Sequence, residues 1–119
     1  MGKMMGALIG VLLIASEVQA ATVTTAPLEP EPNGTLVCEA VNVSSRERDV
    51  TLWIFDGNGI LVTFNECFDL AMGAMCSSST TSDAARYCKV IVEGGKGLVR
   101  ASLTARSETN VTTAAVPAF

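Results

Sequence analysis

The segment from Leu98 to Arg106 carries the cleanest alternation of apolar and polar side chains in the chain. Val99, Ala101, Leu103 and Ala105 point one way and Arg100, Ser102, Thr104 and Arg106 the other. A period of two is the signature of a β-strand with one dry and one wet face. The segment RYCKVIVE, Arg86–Glu93, alternates in the same way, with Cys88, Val90 and Val92 opposite Tyr87, Lys89 and Ile91. Residues 35–43 (TLVCEAVNV) are rich in β-branched side chains and bounded by Asn-Gly and Ser-Ser, so they also read as a strand. Residues 50–55 (VTLWIF) and 60–65 (ILVTFN) flank Asp56-Gly57-Asn58-Gly59, where glycines supply the positive φ of a tight hairpin.

Residues 66–83 fit either a short helical turn or a loop that enters a strand at 75–80. Residues 111–116 add an edge strand that Pro117 brings to an end. The expectation is an all-β, antiparallel β-sandwich of about six or seven strands; a small closed barrel is the alternative.

The N-terminus sets the compartment. Lys3, the apolar run 4–14 and the small-residue pattern Val18-Gln19-Ala20 read as a secretory signal peptide spanning residues 1–20. The apolar run is about half of the ~20 residues a membrane span needs, so no stable membrane insertion is expected after cleavage. Residues 21–34, with Pro27, Pro30 and Pro32, form an extended Pro-rich leader, residues 35–116 the sandwich domain and residues 117–119 a tail. In a secreted or periplasmic protein, four cysteines are most simply two disulfides. Cys38 and Cys88 lie mid-strand on faces shared with Leu36 and Ala40, or with Val90 and Val92. They are paired with each other, and Cys67 with Cys76, because these two bracket the segment of poorest strand character, where a short closed loop orders backbone that packing alone would not hold.

The chain contains no histidine, the commonest general base and transition-metal ligand, and the prior for an enzyme falls accordingly. A catalytic role would require a cleft that brings Asp69 or Asp83 to Arg86 or Lys89. With 8 basic against 12 acidic residues, net −4, and no basic cluster, nucleic acid is not expected as a partner. The Asp56 turn lacks the fifth- and twelfth-position ligands of a calcium loop, which here are Ile60 and Cys67. Gly94-Gly95-Lys96-Gly97 lacks the phosphate-loop frame. Met72, Met75 and Cys76 would suit a cuprous ion only if Cys76 were a free thiolate. No cofactor or metal site is expected. Sequons stand at Asn33, Asn42 and Asn110.

Trp53 and Phe55 share one strand face, opposite Val50, Leu52 and Ile54. Such a strand is either buried on both sides, the ordinary behaviour of tryptophan, or presents a partly exposed aromatic contact surface.

The succession Leu36-Val37-Cys38, VTLWIFDGNG from Val50, ARYCKV from Ala85 and VRASL from Val99 resembles small exported bacterial immunoglobulin-like β-sandwich proteins of uncharacterised function. Cys38, Trp53 and Cys88 follow the immunoglobulin order Cys, Trp, Cys, although Tyr87 directly precedes the second cysteine instead of standing two residues before it. The resemblance implies a fold and an envelope or extracellular address, with no active site to carry over. The functional expectation is a non-catalytic protein- or glycan-binding module. An inhibitor of an extracellular hydrolase acting through the Cys67–Cys76 loop is one alternative, and a hydrolytic enzyme, disfavoured by the missing histidine, is the other.

Overall fold

The computed structural model describes residues 20–82 and 84–119. The signal-peptide reading of residues 1–19 and the reading of Asp83 lie outside them. Among the described residues eight strands follow one another: β1 (Ala20–Thr24), β2 (Thr35–Asn42), β3 (Arg48–Asp56), β4 (Leu61–Leu70), β5 (Met75–Thr81), β6 (Arg86–Glu93), β7 (Val99–Arg106) and β8 (Thr112–Pro117). They form two four-stranded antiparallel sheets, ordered β1-β6-β3-β4 and β5-β2-β7-β8. The expected six or seven strands become eight because the Pro-rich leader begins with a strand. Ala20 to Thr24 pair with Glu93 to Lys89 of β6, and the β-branched Thr22, Val23 and Thr24 suit that position.

Alternation places the core where expected. Along β2 every second residue is buried, as are Val50, Leu52 and Ile54 of β3 and Cys88, Val90 and Val92 of β6. On β7, Val99, Leu103 and Ala105 are buried and Ala101 is half-buried, while the outward Thr104 is also buried. Both expected disulfides form, Cys38–Cys88 with its Cα atoms 6.0 Å apart and Cys67–Cys76 with 6.1 Å. The first links interior strands of opposite sheets and the second links their neighbouring edges, β4 and β5. Chain-entropy arguments assign about 4 kcal/mol to the longer closure and about 2.7 kcal/mol to the shorter.

The turns follow their chemistry. Asp56 Oδ1 accepts from the N–H groups of Asn58 (2.8 Å) and Ile60 (3.0 Å), and Gly59 takes φ +79°. The backbone donors of Ile60 and then Asn58 hold the Asp56 carboxyl below its ordinary pKa. Among the described residues from 66 to 82 there is no helical turn. The chain continues as β4 to Leu70 and then turns through Ala71-Met72-Gly73-Ala74, where Ala74 N–H donates to Ala71 O (3.0 Å) and Gly73 takes φ +81°.

Leu103 is fully buried and Ser102 points to the outer face. Leu103→Ala should therefore cost about 2–5 kcal/mol, and Ser102→Ala less than about 0.5 kcal/mol. Denaturant midpoints read the difference, and equal losses would contradict the assignment of faces.

Candidate functional site

None of the fifteen buried hydrophobic residues among the described residues is aromatic, although the chain carries one Trp, one Tyr and four Phe. Four of these six rings lie together on the outer face of the first sheet, and register explains why. Across β3, β4 and β6, Phe55 stands opposite Tyr87 and Leu61, Trp53 opposite Lys89 and Phe64, and Thr51 opposite Ile91 and Glu66. Directly opposed residues on antiparallel strands share a face.

Phe55 stacks on Tyr87 with centroids 5.3 Å apart and planes at 19°, and meets Trp53 edge-on at 5.9 Å. Lys89 Nζ lies 5.3 Å from the Phe55 centroid, within cation–π range. Beside this stack Trp53, Phe64, Leu61 and Ile91 line an apolar depression of about 290 Å³, with Thr51 and Glu66 as its polar members. Phe64 is 54% exposed. Trp53 and Phe55 are only half-buried, so the expectation of burial on both sides gives way to the partly exposed alternative. β3 is interior to its sheet, yet nothing among the described residues forms a second layer over its outer face. Trp53 also points away from the Cys38–Cys88 bridge, because the inward neighbour of Cys88 is Ile54. An immunoglobulin tryptophan packs against that bridge.

The sequence reading named Trp53 and Phe55 and missed Phe64, Leu61, Tyr87 and Ile91 as members of the same surface. The signal was available in the hairpin: strands folding back around Asn58 bring Phe64 opposite Trp53, with a bulge at Val62 between Leu61 and Thr63.

A second feature stands at the end of the sandwich where β4 passes into β5. The fully buried Asn42 holds it. Its Nδ2 donates to Leu70 O and Arg46 O (both 2.8 Å), while its Oδ1 accepts from Ser44 N (2.9 Å) and Ser44 Oγ (2.7 Å). Its main chain adds two bonds, Gly73 N–H to Asn42 O (2.7 Å) and Asn42 N–H to Ala74 O (3.0 Å). With the Cys67–Cys76 bridge behind it, this rigid turn presents Phe68, Met72 and Met75, which are 68%, 65% and 55% exposed. Asn42 thus spends its side chain on structure, whereas the sequons at Asn33 and Asn110 are exposed.

The catalytic constellation does not assemble from the described residues. Asp69 accompanies Asp49 at one end of the first sheet, its N–H donating to Asp49 Oδ1 (2.9 Å), whereas Arg86 pairs with Asp56 at the other end and Lys89 with Trp53. Cys76 is in a disulfide, which removes the thiolate from the Met72, Met75 and Cys76 set. No group of three or more His, Cys, Asp or Glu that could hold a metal occurs among the described residues.

No protein-family model and no curated protein matches the chain. Among solved structures it is similar to a Thermotoga maritima protein, Thermotoga maritima 1070. The TM-score is 0.50 at 10% identity, over 82% of this chain and 91% of that one. At that identity the likeness is one of fold.

Two measurements test this geometry. A double-mutant cycle on Phe55 and Tyr87 should return a coupling of about 0.5–1.5 kcal/mol, as stacked rings do; zero coupling would mean the rings do not pack. Asn42→Ala strands several buried partners and should cost about 3 kcal/mol, with hydrogen exchange accelerating first at Gly73 and Ala74.

Proposed function

We propose that this protein is an exported, non-catalytic binding module whose outer aromatic face engages a protein partner. The observation that carries the reading is the displacement of every aromatic side chain from the core, with four gathered on one sheet face. A large apolar surface left to water costs stability without return unless something covers it, and Trp, Tyr and Phe are the residues that anchor protein interfaces. The depression is lined by Trp53, Phe64, Leu61 and Ile91, with Thr51 and Glu66 as its polar members, which favours a protein over a glycan, since sugars need more hydrogen-bonding groups than these two offer.

Export is supported by the apolar N-terminal run and by two disulfides, which suit an oxidising compartment. Among the described residues no helix is long and apolar enough to cross a membrane. The bond read as the cleavage site, Ala20–Ala21, opens the β1 ladder, where Ala20 faces Glu93 and Ala21 faces Val92. Cleavage there accordingly precedes the docking of β1. An immunoglobulin-like kinship draws support from the bridge between the two sheets alone, since Trp53 points away from it.

A second reading has its own observation. The turn clamped by Asn42 and closed by Cys67–Cys76 is pre-organised, the property that lets an inhibitor loop bind without a large ordering penalty.

Recovery of tagged protein from its native exported fraction separates the readings. For the aromatic face, Trp53→Ala with Phe64→Ser should weaken capture of a protein partner by roughly thirtyfold, a loss of about 2 kcal/mol. Thermal midpoints verify folding, and Phe68→Ser with Met72→Ser should leave capture intact. The opposite pattern, with a hydrolase as the captured protein, would replace this reading with inhibition. Retention on polysaccharide without any protein would replace it with glycan binding.

A further inference from the structure

A second groove, of about 490 Å³, opens on the other flank of the sandwich and plays no part in the aromatic face. Its origin is a difference in strand length. β8 pairs with β7 only from Ser102 to Arg106, so the first residues of β7 lack a ladder partner on that side apart from the bond from Ala118 N–H to Ala101 O (3.0 Å). The chain then crosses to the other sheet, where Thr24 and Phe119 exchange backbone hydrogen bonds of 2.9 and 3.1 Å. Between this crossing and the start of β7 lies an apolar trough lined by Val23, Val99, Ala101 and Phe119. Val23 and Val99 are 5% and 4% exposed, so they form its floor. The volume lies within the roughly 300–1,000 Å³ typical of small-molecule sites.

Two exposed cations, Lys96 and Arg100, also line this trough. The only ion pair among the described residues joins Arg106 to Glu39 at 3.6 Å, so neither cation has a carboxylate partner there. Arg100 Nη1 donates to Gly97 O (3.3 Å) and Val99 O (3.2 Å), which holds its guanidinium at the groove. In a chain of net charge −4 with eight basic residues, two cations without a carboxylate in ion-pair reach at one apolar groove mark a site complementary to an anion with an apolar tail.

We propose that this groove binds a single-chain fatty carboxylate. Its acyl chain would lie on Val23, Val99, Ala101 and Phe119, with the head group between Lys96 and Arg100. Small-molecule sites pair an apolar lining with a few polar groups that fix orientation, and here two positive charges select the sign of the head.

Titrating the oxidised, folded protein with dodecanoate below its micelle concentration tests the assignment. Dodecanoate should bind saturably at one site and shift the methyl resonances of Val23 and Val99. Dodecyltrimethylammonium, with the same tail and opposite charge, should bind more weakly by about tenfold. Lys96→Gln with Arg100→Gln should reduce dodecanoate affinity by about tenfold and leave the thermal midpoint in place, since both side chains are exposed. Absence of saturable binding would overturn the proposal, as would equal affinity for the cationic amphiphile or shifts confined to Trp53 and Phe64.

Discussion

The bridge between Cys38 and Cys88 joins β2 to β6, strands that lie inside their respective sheets, and the packing of both layers depends on it. Cys38 stands opposite Leu103 on β7 and Ser78 on β5, and Cys88 opposite Ile54 on β3, so one covalent link relates the registers of five strands. A slip of one residue in β2 or β6 would turn its cysteine, with every aliphatic neighbour, to the outer face. The core assembled around the bridge is aliphatic, built of Leu, Ile, Val and Ala with cystine sulfur at its centre.

The flanks of the sandwich are closed by different means, and their difference sets where ligands can reach. On one flank the edges β4 and β5 are tied by Cys67–Cys76, and Asn65 Nδ2 donates across the seam to Ser77 O (2.8 Å). On the other flank closure rests on backbone hydrogen bonds between Thr24 and Phe119 and on the Thr25–Ala118 bridge. Because β8 is two residues shorter than β7, that second seam is incomplete at one end. Covalent closure yields a rigid turn that projects apolar side chains, whereas incomplete closure yields a trough.

Aromatic residues sit outside because of this economy of volume. The inward positions of β3 and β6 are taken by Val50, Leu52, Ile54, Cys88, Val90 and Val92, and alternation sends Trp53, Phe55 and Tyr87 outward. There they shield one another by stacking, which leaves each half-buried and the group as a whole in contact with solvent.

Period-two alternation was enough to read the faces of β6 and β7 from the sequence, and the Asp-Gly-Asn-Gly turn was enough to place the β3–β4 hairpin, because both signals are local. The Cys38–Cys88 pairing was legible for the same reason, each partner's face following from its own strand. Cys67 and Cys76 read as the ends of a weakly patterned loop, whereas they lie on the edge strands β4 and β5. What lay beyond the sequence depended on contacts between distant segments. The leader reads as extended, but only the free edge of β6 makes β1 a strand. Asn42 reads as a sequon until Leu70, Arg46 and Ser44 converge on its side chain. Trp53 carries the usual tendency of tryptophan toward burial, and only the layer order, with no third layer among the described residues, leaves its face open. Alternation tells a side chain which way to point; what stands there to meet it is decided by the packing of sheets, and by that alone.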